Sequence, residues 1–364
     1  MMYKNPFTPV FGNEPPILAG RQRMIQDVIT GLDNGPGDPN RVTIFTGPRG
    51  SGKTVLLATI AAAAESMGWI SVHATAMPGM LDMLIEQIEE KGAEFLSVEQ
   101  SGGVTGVQVS GFGITRELPD RKSVSFRTRA SRYLKELEEQ HIGLLITVDE
   151  VSADVPEMIT LIDSFQHFIR ERREIALLMA GLPNNVLQMF QHESISYLRR
   201  AFRKRLDSVS IPEVRMAIED TVKLTGRTID REALSVASEA TNGFPFLIQL
   251  VGFYMFSQSD RKKISLEDAE RGIEIAKIDM ERMIIDSTVR ALSDRDMDFL
   301  EAMSRDEEYS NISDVAKRIG ASASLASHYK RRLAEQGIIS SVGRGKIAFN
   351  IPMLKTWLRE RGEQ

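Results

Sequence analysis

Eight residues near the start of the chain, "GPRGSGKT" (47–54), carry the spacing G-x-x-x-x-G-K-[ST]. Glycines let a backbone curl so that several N–H groups converge on one phosphate chain, and a helix N-terminus adds a partial positive charge. Gly47, Pro48, Arg49, Gly50, Ser51 and Gly52 would form that cradle. Lys53 would reach β- and γ-phosphates, and the Thr54 hydroxyl would ligate Mg²⁺. Much later, "LLITVDE" (144–150) ends an apolar run on two acids. Asp149 would orient Mg²⁺ and its waters, and Glu150 would polarise an attacking water. A glycine-rich turn can match by chance, and an acidic pair can be a solvated strand end. Together they describe a site for ATP or ADP with Mg²⁺, and a hydrolytic one.

Such a loop works only between a strand and a helix. "RVTIF" precedes it and "VLLATIAAA" follows it, as the chemistry requires. Further along, "WISVHATA", "GLLITVDE" and "IALLMAGLP" are short apolar runs of the kind buried in a parallel sheet, separated by amphipathic helical stretches. The alternation predicts an α/β fold with helices on both faces of the sheet. The expected order is a segment over 1–40, a core over 41–206 and a helical domain over 207–286. A C-terminal domain over 287–364 completes it. An arginine-rich helix, "SISYLRRAFRKRL", is expected to close the core. Residues 101–127, where glycines alternate with Val, Ile and Phe, read as an inserted β-hairpin or a mobile flap.

Composition narrows the class. A net charge of −5 argues against a wholly basic nucleic-acid coat protein but leaves room for a local basic patch. With no cysteine there is neither disulfide nor thiolate metal site, which suits a reducing compartment. No signal-peptide core or membrane-length apolar run is evident, so a cytoplasmic protein is expected.

With "PPILAGRQRMI", "LLMAGLPNN", "SYLRRAFRKRL", "NGFPFLIQLVG" and "GRGKIAFNIP" added in this order, nearly the whole chain resembles the AAA+ and STAND P-loop ATPases. It is most similar to Orc1/Cdc6-like proteins and bacterial AAA ATPases with a C-terminal winged helix. The resemblance implies that Leu18, Gly20 and Arg21 border adenine. It implies that Asn184, or else Asn185, senses the γ-phosphate. An arginine from Arg199, Arg200 and Arg203, with Arg200 favoured, would complete the site of a neighbouring subunit in a homo-oligomer; a solvated helix face is the plain alternative. Gly243, Phe244 and Pro245 match a G-x-P lid motif, so Pro245 would meet the nucleotide. Two departures stand out. "GFPFLIQLVG" lacks the usual lid arginine, and the insertion stretches the separation of Lys53 from Asp149.

The C-terminal residues read as helix ("DRDMDFLEAMSRD"), short helix ("ISDVAKRIG", with Ser313 as its cap), helix ("ASASLASHYKRRLAEQG") and a two-stranded wing. That is a winged helix-turn-helix, whose third helix would enter a major groove. From Lys317 to Lys346 there are seven cations against one acid, Glu335, which favours double-stranded DNA as a partner. Ser322, Ser324, Ser327 and His328 are small or polar enough for groove contact, Arg331 is a further nucleic-acid candidate, and Arg344 and Lys346 would reach phosphates or a minor groove from the wing. Three functions remain open: a nucleotide-controlled DNA-binding ATPase, a slow STAND-like signalling or scaffold switch whose winged helix binds protein, and a ring-forming remodelling motor.

Overall fold

The computed structural model describes residues 3–10, 14–100, 124–290 and 292–362. Most of the stretch expected to be a hairpin or flap lies outside the described residues. Among the described residues, no helix is long and apolar enough to cross a membrane.

The core begins with α1 (Gln22–Asp33), β1 (Val42–Thr46), α2 (Lys53–Ser66), β2 (Ile70–Thr75) and α3 (Met80–Gln100). It continues with α4 (Phe126–Glu139), β3 (Leu144–Asp149), α5 (Pro156–Arg170), β4 (Ile175–Gly181), α6 (Pro183–Gln191) and β5 (Phe202–Arg205). The five strands form one sheet in the order β2-β3-β4-β1-β5, with every pairing parallel. Strand periodicity explains how it is covered. Ile44, Ile146 and Leu177 point into one apolar cluster, with α3, α4 and α5 above it. Phe45, Leu145 and Leu178 point into the other, closed by α1 and α2. Side chains alternate across a strand, so strands that are apolar throughout must be buried on both faces.

The expected arginine-rich helix over 194–206 is not formed. A 3₁₀ turn, Glu193–Arg200, leads instead into β5, which pairs with β1 from Thr43↔Phe202 to Thr46↔Arg205. The free edge of β1 offers main-chain partners, and an edge strand need not be apolar. β5 keeps Arg203 and Arg205 exposed and pairs the largely buried Lys204 with Asp27 at 2.6 Å.

Four main helices follow: α7 (Ile211–Lys223), α8 (Arg231–Ala240), α9 (Pro245–Ser257) and α10 (Leu266–Met280). The two-residue strands β6 (Thr228–Ile229) and β7 (Lys263–Ile264) tie their connections together. Ser210 and Ser265 close capping boxes on α7 and α10. Asp230 stands at the α8 N-cap without capping it, because its side chain pairs with Lys263. A π-helical turn, Glu281–Ile285, continues α10 into α11 (Asp286–Arg290).

The C-terminal unit comprises α12 (Asp294–Ser304), β8 (Ser310–Asn311), α13 (Ile312–Arg318), α14 (Ala323–Glu335), β9 (Ile339–Gly343), β10 (Lys346–Phe349) and α15 (Leu354–Gly362). The last three strands make an antiparallel sheet, β8-β10-β9. Asn311, not Ser313, occupies the N-cap of α13, since the β8–β10 ladder ends there.

Asp296 is 2% exposed and closes the capping box of α12 with Ser293 while receiving the Arg332 guanidinium at 3.0 Å. Asp296→Ala would uncap a helix and strand a half-buried cation. It is expected to destabilise the chain by about 3 kcal/mol in denaturant unfolding, against under about 0.5 kcal/mol for the exposed Asp298→Ala.

Candidate functional site

Where β1 ends, the chain turns through Gly50 (φ 74°) and Gly52 (φ 85°) into the N-terminus of α2. A Cβ on Gly47 would stand 2.5 Å from Ser51 Oγ, and one on Gly50 would stand 2.6 Å from the Phe244 ring. Gly50 therefore excludes a side chain for reasons of space as well as torsion, and Gly47 for reasons of space. Lys53 is buried and its ammonium donates to the carbonyls of Gly47 (3.2 Å) and Pro48 (3.0 Å). Burial pulls its pKa down, opposed by Glu150 and Asp149 and abetted by Arg49. Ser51 Oγ is buried with no hydrogen-bond partner among the described residues, which leaves a donor inside the cradle.

The acidic pair sits across the cradle. β3 is two strands from β1, with β4 between, so the end of β3 lies roughly 10 Å from the end of β1. That gap is closed by side chains: Thr54 Oγ1 donates to Asp149 Oδ2. The Glu150 N–H donates to Asp149 Oδ1 at 2.8 Å. Glu150 takes a left-handed conformation (φ 51°), which costs a non-glycine residue about 1 kcal/mol and turns the chain at the rim of the cleft. A hydroxyl and a carboxylate side by side suit a hard divalent cation. Among the described residues no group of three or more His, Asp or Glu side chains could hold a metal, so further ligands would come from phosphate and water.

Above the loop lies a cleft of about 710 Å³. One wall is Arg49–Val55 with Glu150; another is the N-terminal stretch with Thr8, Leu18 and Arg21. Phe244, Pro245 and Gln249 form the third, and Gln336, Ile338 and Ile351 of the C-terminal unit close the fourth. The sequence pointed to Leu18, Arg21, Arg49, Gly50, Ser51, Gly52, Lys53, Thr54, Glu150 and Pro245, and all of these line the cleft. Arg21 is buried and donates to the Asp207 carbonyl at 2.7 Å; burial lowers its pKa, with Asp207 and Glu213 opposing. Gly20 faces Val209 instead.

Asn184 stands on the first turn of α6, beyond the end of β4, and is outside the cleft wall. Arg200 precedes β5 and so lies at the opposite end of the sheet from the loop. Two contributions escaped the sequence. Phe244 was legible only as the middle of G-x-P, and the walls from the C-terminal unit carry no local signal.

The outer face of α14 exposes Ser324, His328 and Arg331, and Arg344 is exposed in the turn between β9 and β10. Arg331 lies 3.3 Å from His328 and 4.0 Å from Glu335. Lys346 lies 3.9 Å above the Tyr309 ring. The basic cluster is smaller than a count of cations suggests. Arg318 is held by Asp306 and Arg332 by Asp296, because both acids reach them from α12 and the turn after it. The far end of α14 is also in contact with the core, through Gln188 to Glu335 (3.4 Å).

Comparison with solved structures places this architecture. The Walker-type ATPase of Pyrococcus abyssi superposes with a TM-score of 0.67 at 14% identity, over 94% of this chain and 96% of that one. The Orc2 protein of Aeropyrum pernix, in its ADPNP–ADP complexes, gives 0.61 at 13% identity with both chains fully covered. The chain shares its overall fold with these proteins. Cdc6p from Pyrobaculum aerophilum gives 0.51 at 16% identity, again over both whole chains. Residues 282–358 match a family described as a domain of unknown function, DUF8462. No curated protein is significantly similar in sequence.

The Gly50–Phe244 contact can be tested without any ligand. Gly50→Ala combines a strained φ with an overlap against the ring and is expected to cost about 2 kcal/mol of stability. Adding Phe244→Ala should recover part of that loss, so the two substitutions should be non-additive in a double-mutant unfolding cycle.

Proposed function

We propose that this protein is a Mg²⁺-dependent ATPase that works as a nucleotide-controlled switch, with a DNA-binding winged helix at its C-terminus. One observation carries the reading: the cleft over residues 47–54 is walled by the N-terminal stretch, the P-loop core, the helical region and the C-terminal unit together. A ligand in contact with all four binds with an energy that depends on their arrangement. By linkage it must bias that arrangement. The reading treats 41–206 as the ATPase core, 207–286 as its lid and 287–364 as the output domain, with residues 1–40 bordering the base.

Each side chain has a part. Lys53 exchanges the carbonyls of Gly47 and Pro48 for phosphate oxygens, and the negative charge restores the proton affinity that burial reduces. Ser51 gives its unpaired hydroxyl to the same anion. Thr54 and Asp149 hold Mg²⁺, which when bound neutralises charge on the phosphates. Glu150, fixed by its left-handed backbone, orients and deprotonates the attacking water. Leu18 and Arg21 border the base, and Pro245 closes over it from the lid. Asn184 is assigned to sensing the γ-phosphate, from beyond the wall. Arg200, remote from its own loop, acts on the nucleotide of a second copy.

The winged helix reading rests on α12, α13, α14 and the β9–β10 wing. The exposed Ser324, His328 and Arg331 face a groove, and Arg344 and Lys346 meet the backbone. A second reading is favoured by the ring of Phe244 resting on Gly50 and by the lack of a lid arginine. In it the chain is a slow STAND-like switch whose winged helix binds protein.

Lys53→Ala should abolish retention of ATP and ADP, measured by calorimetry. Glu150→Gln should keep ATP binding but lower turnover by about 100-fold or more. In mobility-shift titrations on duplex DNA, affinity should differ between ATP, ADP and neither, and fall steeply with salt. Arg344→Ala should flatten the salt slope by about one. Equal DNA affinity in all three nucleotide states overturns the switch, and no DNA binding at all leaves the protein-binding reading in its place.

A further inference from the structure

At the far end of the sheet from the P-loop lies a second cavity of about 480 Å³. Its floor is apolar: Leu177 from β4, Ile162 and Phe165 from α5, and Leu198 from the 3₁₀ turn, all buried. Cations surround this floor, and they differ in whether they are already used. Arg41 is tied to Glu174 and to the carbonyls of Gly31 and Leu32. Arg173 is tied to Glu138 and the Ser131 carbonyl. Arg170, at the end of α5, and Arg200 are both exposed at the rim, and neither side chain forms a hydrogen bond or ion pair among the described residues. The one acid in the wall, Asp38, is occupied by the side chains of Asn34 and Asn40 and the Asn40 N–H.

A polar atom is buried in the same wall. Tyr197 Oη has no hydrogen-bond partner among the described residues. Burial and the neighbouring Asp163 push its pKa up, against Arg170, so the phenol stays a neutral donor. A buried hydroxyl left unpaired costs free energy that a ligand acceptor would recover. We infer that this cavity is a binding site for a small amphipathic anion, its aromatic or branched apolar body on the Phe165–Leu177 floor and its oxyanion between Arg170, Arg200 and Tyr197. The site is separate from the chain's own P-loop cleft; it shares Arg200 with the reading in which that arginine serves a second copy, while Arg170 and Tyr197 belong to this cavity alone. The head group is an oxyanion of carboxylate or phosphate type, since two guanidinium groups that can only donate stand beside a phenol whose O–H is free to donate.

Calorimetry and crystal soaks with phenyl phosphate, phenylacetate, inorganic phosphate and benzyl alcohol, on the full chain, test this. At least one of the two ring-bearing anions should bind saturably, about tenfold tighter than inorganic phosphate or benzyl alcohol, since ring and charge each contribute. Arg170→Ala and Arg200→Ala should each weaken it about tenfold, and Tyr197→Phe by less, with melting temperatures unchanged for the two exposed arginines. Lys53→Ala should leave it intact. Absence of saturable binding by both ring anions, indifference to Arg170 and Arg200, or loss with Lys53→Ala would each overturn the assignment. The last of these would place the anion in the P-loop cleft.

Discussion

The ring of Phe244 lies where Gly50 would carry a side chain. That contact seats the helical region directly on the P-loop. The loop must curl through two left-handed glycines to present its amides, and curling exposes a bare backbone surface. The residue before α9 fills it. Gly243 must be bare as well, because a Cβ there would stand 2.0 Å from the Val209 carbonyl oxygen. The turn that aims Phe244 is thus locked to the strand-like segment leaving the core, with Val209 N–H donating to Gly243 O at 2.8 Å. The loop and the N-terminus of α9 are therefore in direct contact through this ring.

The N-terminal stretch belongs mechanically to the same helix. Asn5 donates to the Phe253 carbonyl and to Ser257, and Thr8 N–H donates to Gln249, all on α9. Phe7 is buried against Gly252, where a Cβ would meet its ring at 2.3 Å. Residues 3–10 are therefore fastened to α9, while Arg21 is fastened through the Asp207 carbonyl to the segment that links β5 to α7. The cleft is thus bounded by parts anchored on different segments, the geometry a ligand needs if its binding is to move anything.

How much of this could be read from the chain depends on whether the signal is local. β3 and β4 are buried on both faces, so their apolar runs announce them. The P-loop is announced by the torsions only glycine adopts easily and by the lysine that follows. β5 was invisible because "FRKR" has no strand-like alternation; its pairing is dictated by the open edge of β1, contributed 160 residues earlier. The true size of the basic face was hidden in the same way. Arg318 and Arg332 look available until Asp306 and Asp296 fold onto them. The middle residue of G-x-P gave no hint that its ring would rest on Gly50, and nothing near Ile338 or Ile351 marks them as walls of a cleft formed by distant loops.

Hydrogen exchange followed by mass spectrometry, with and without Mg-ATP, addresses the central claim most directly. If the four walls close on one ligand, amides of 47–55, of 244–249 and of 336–338 should slow together at the same nucleotide concentration. Protection confined to 47–55, with the other two segments unchanged at saturation, would contradict the account.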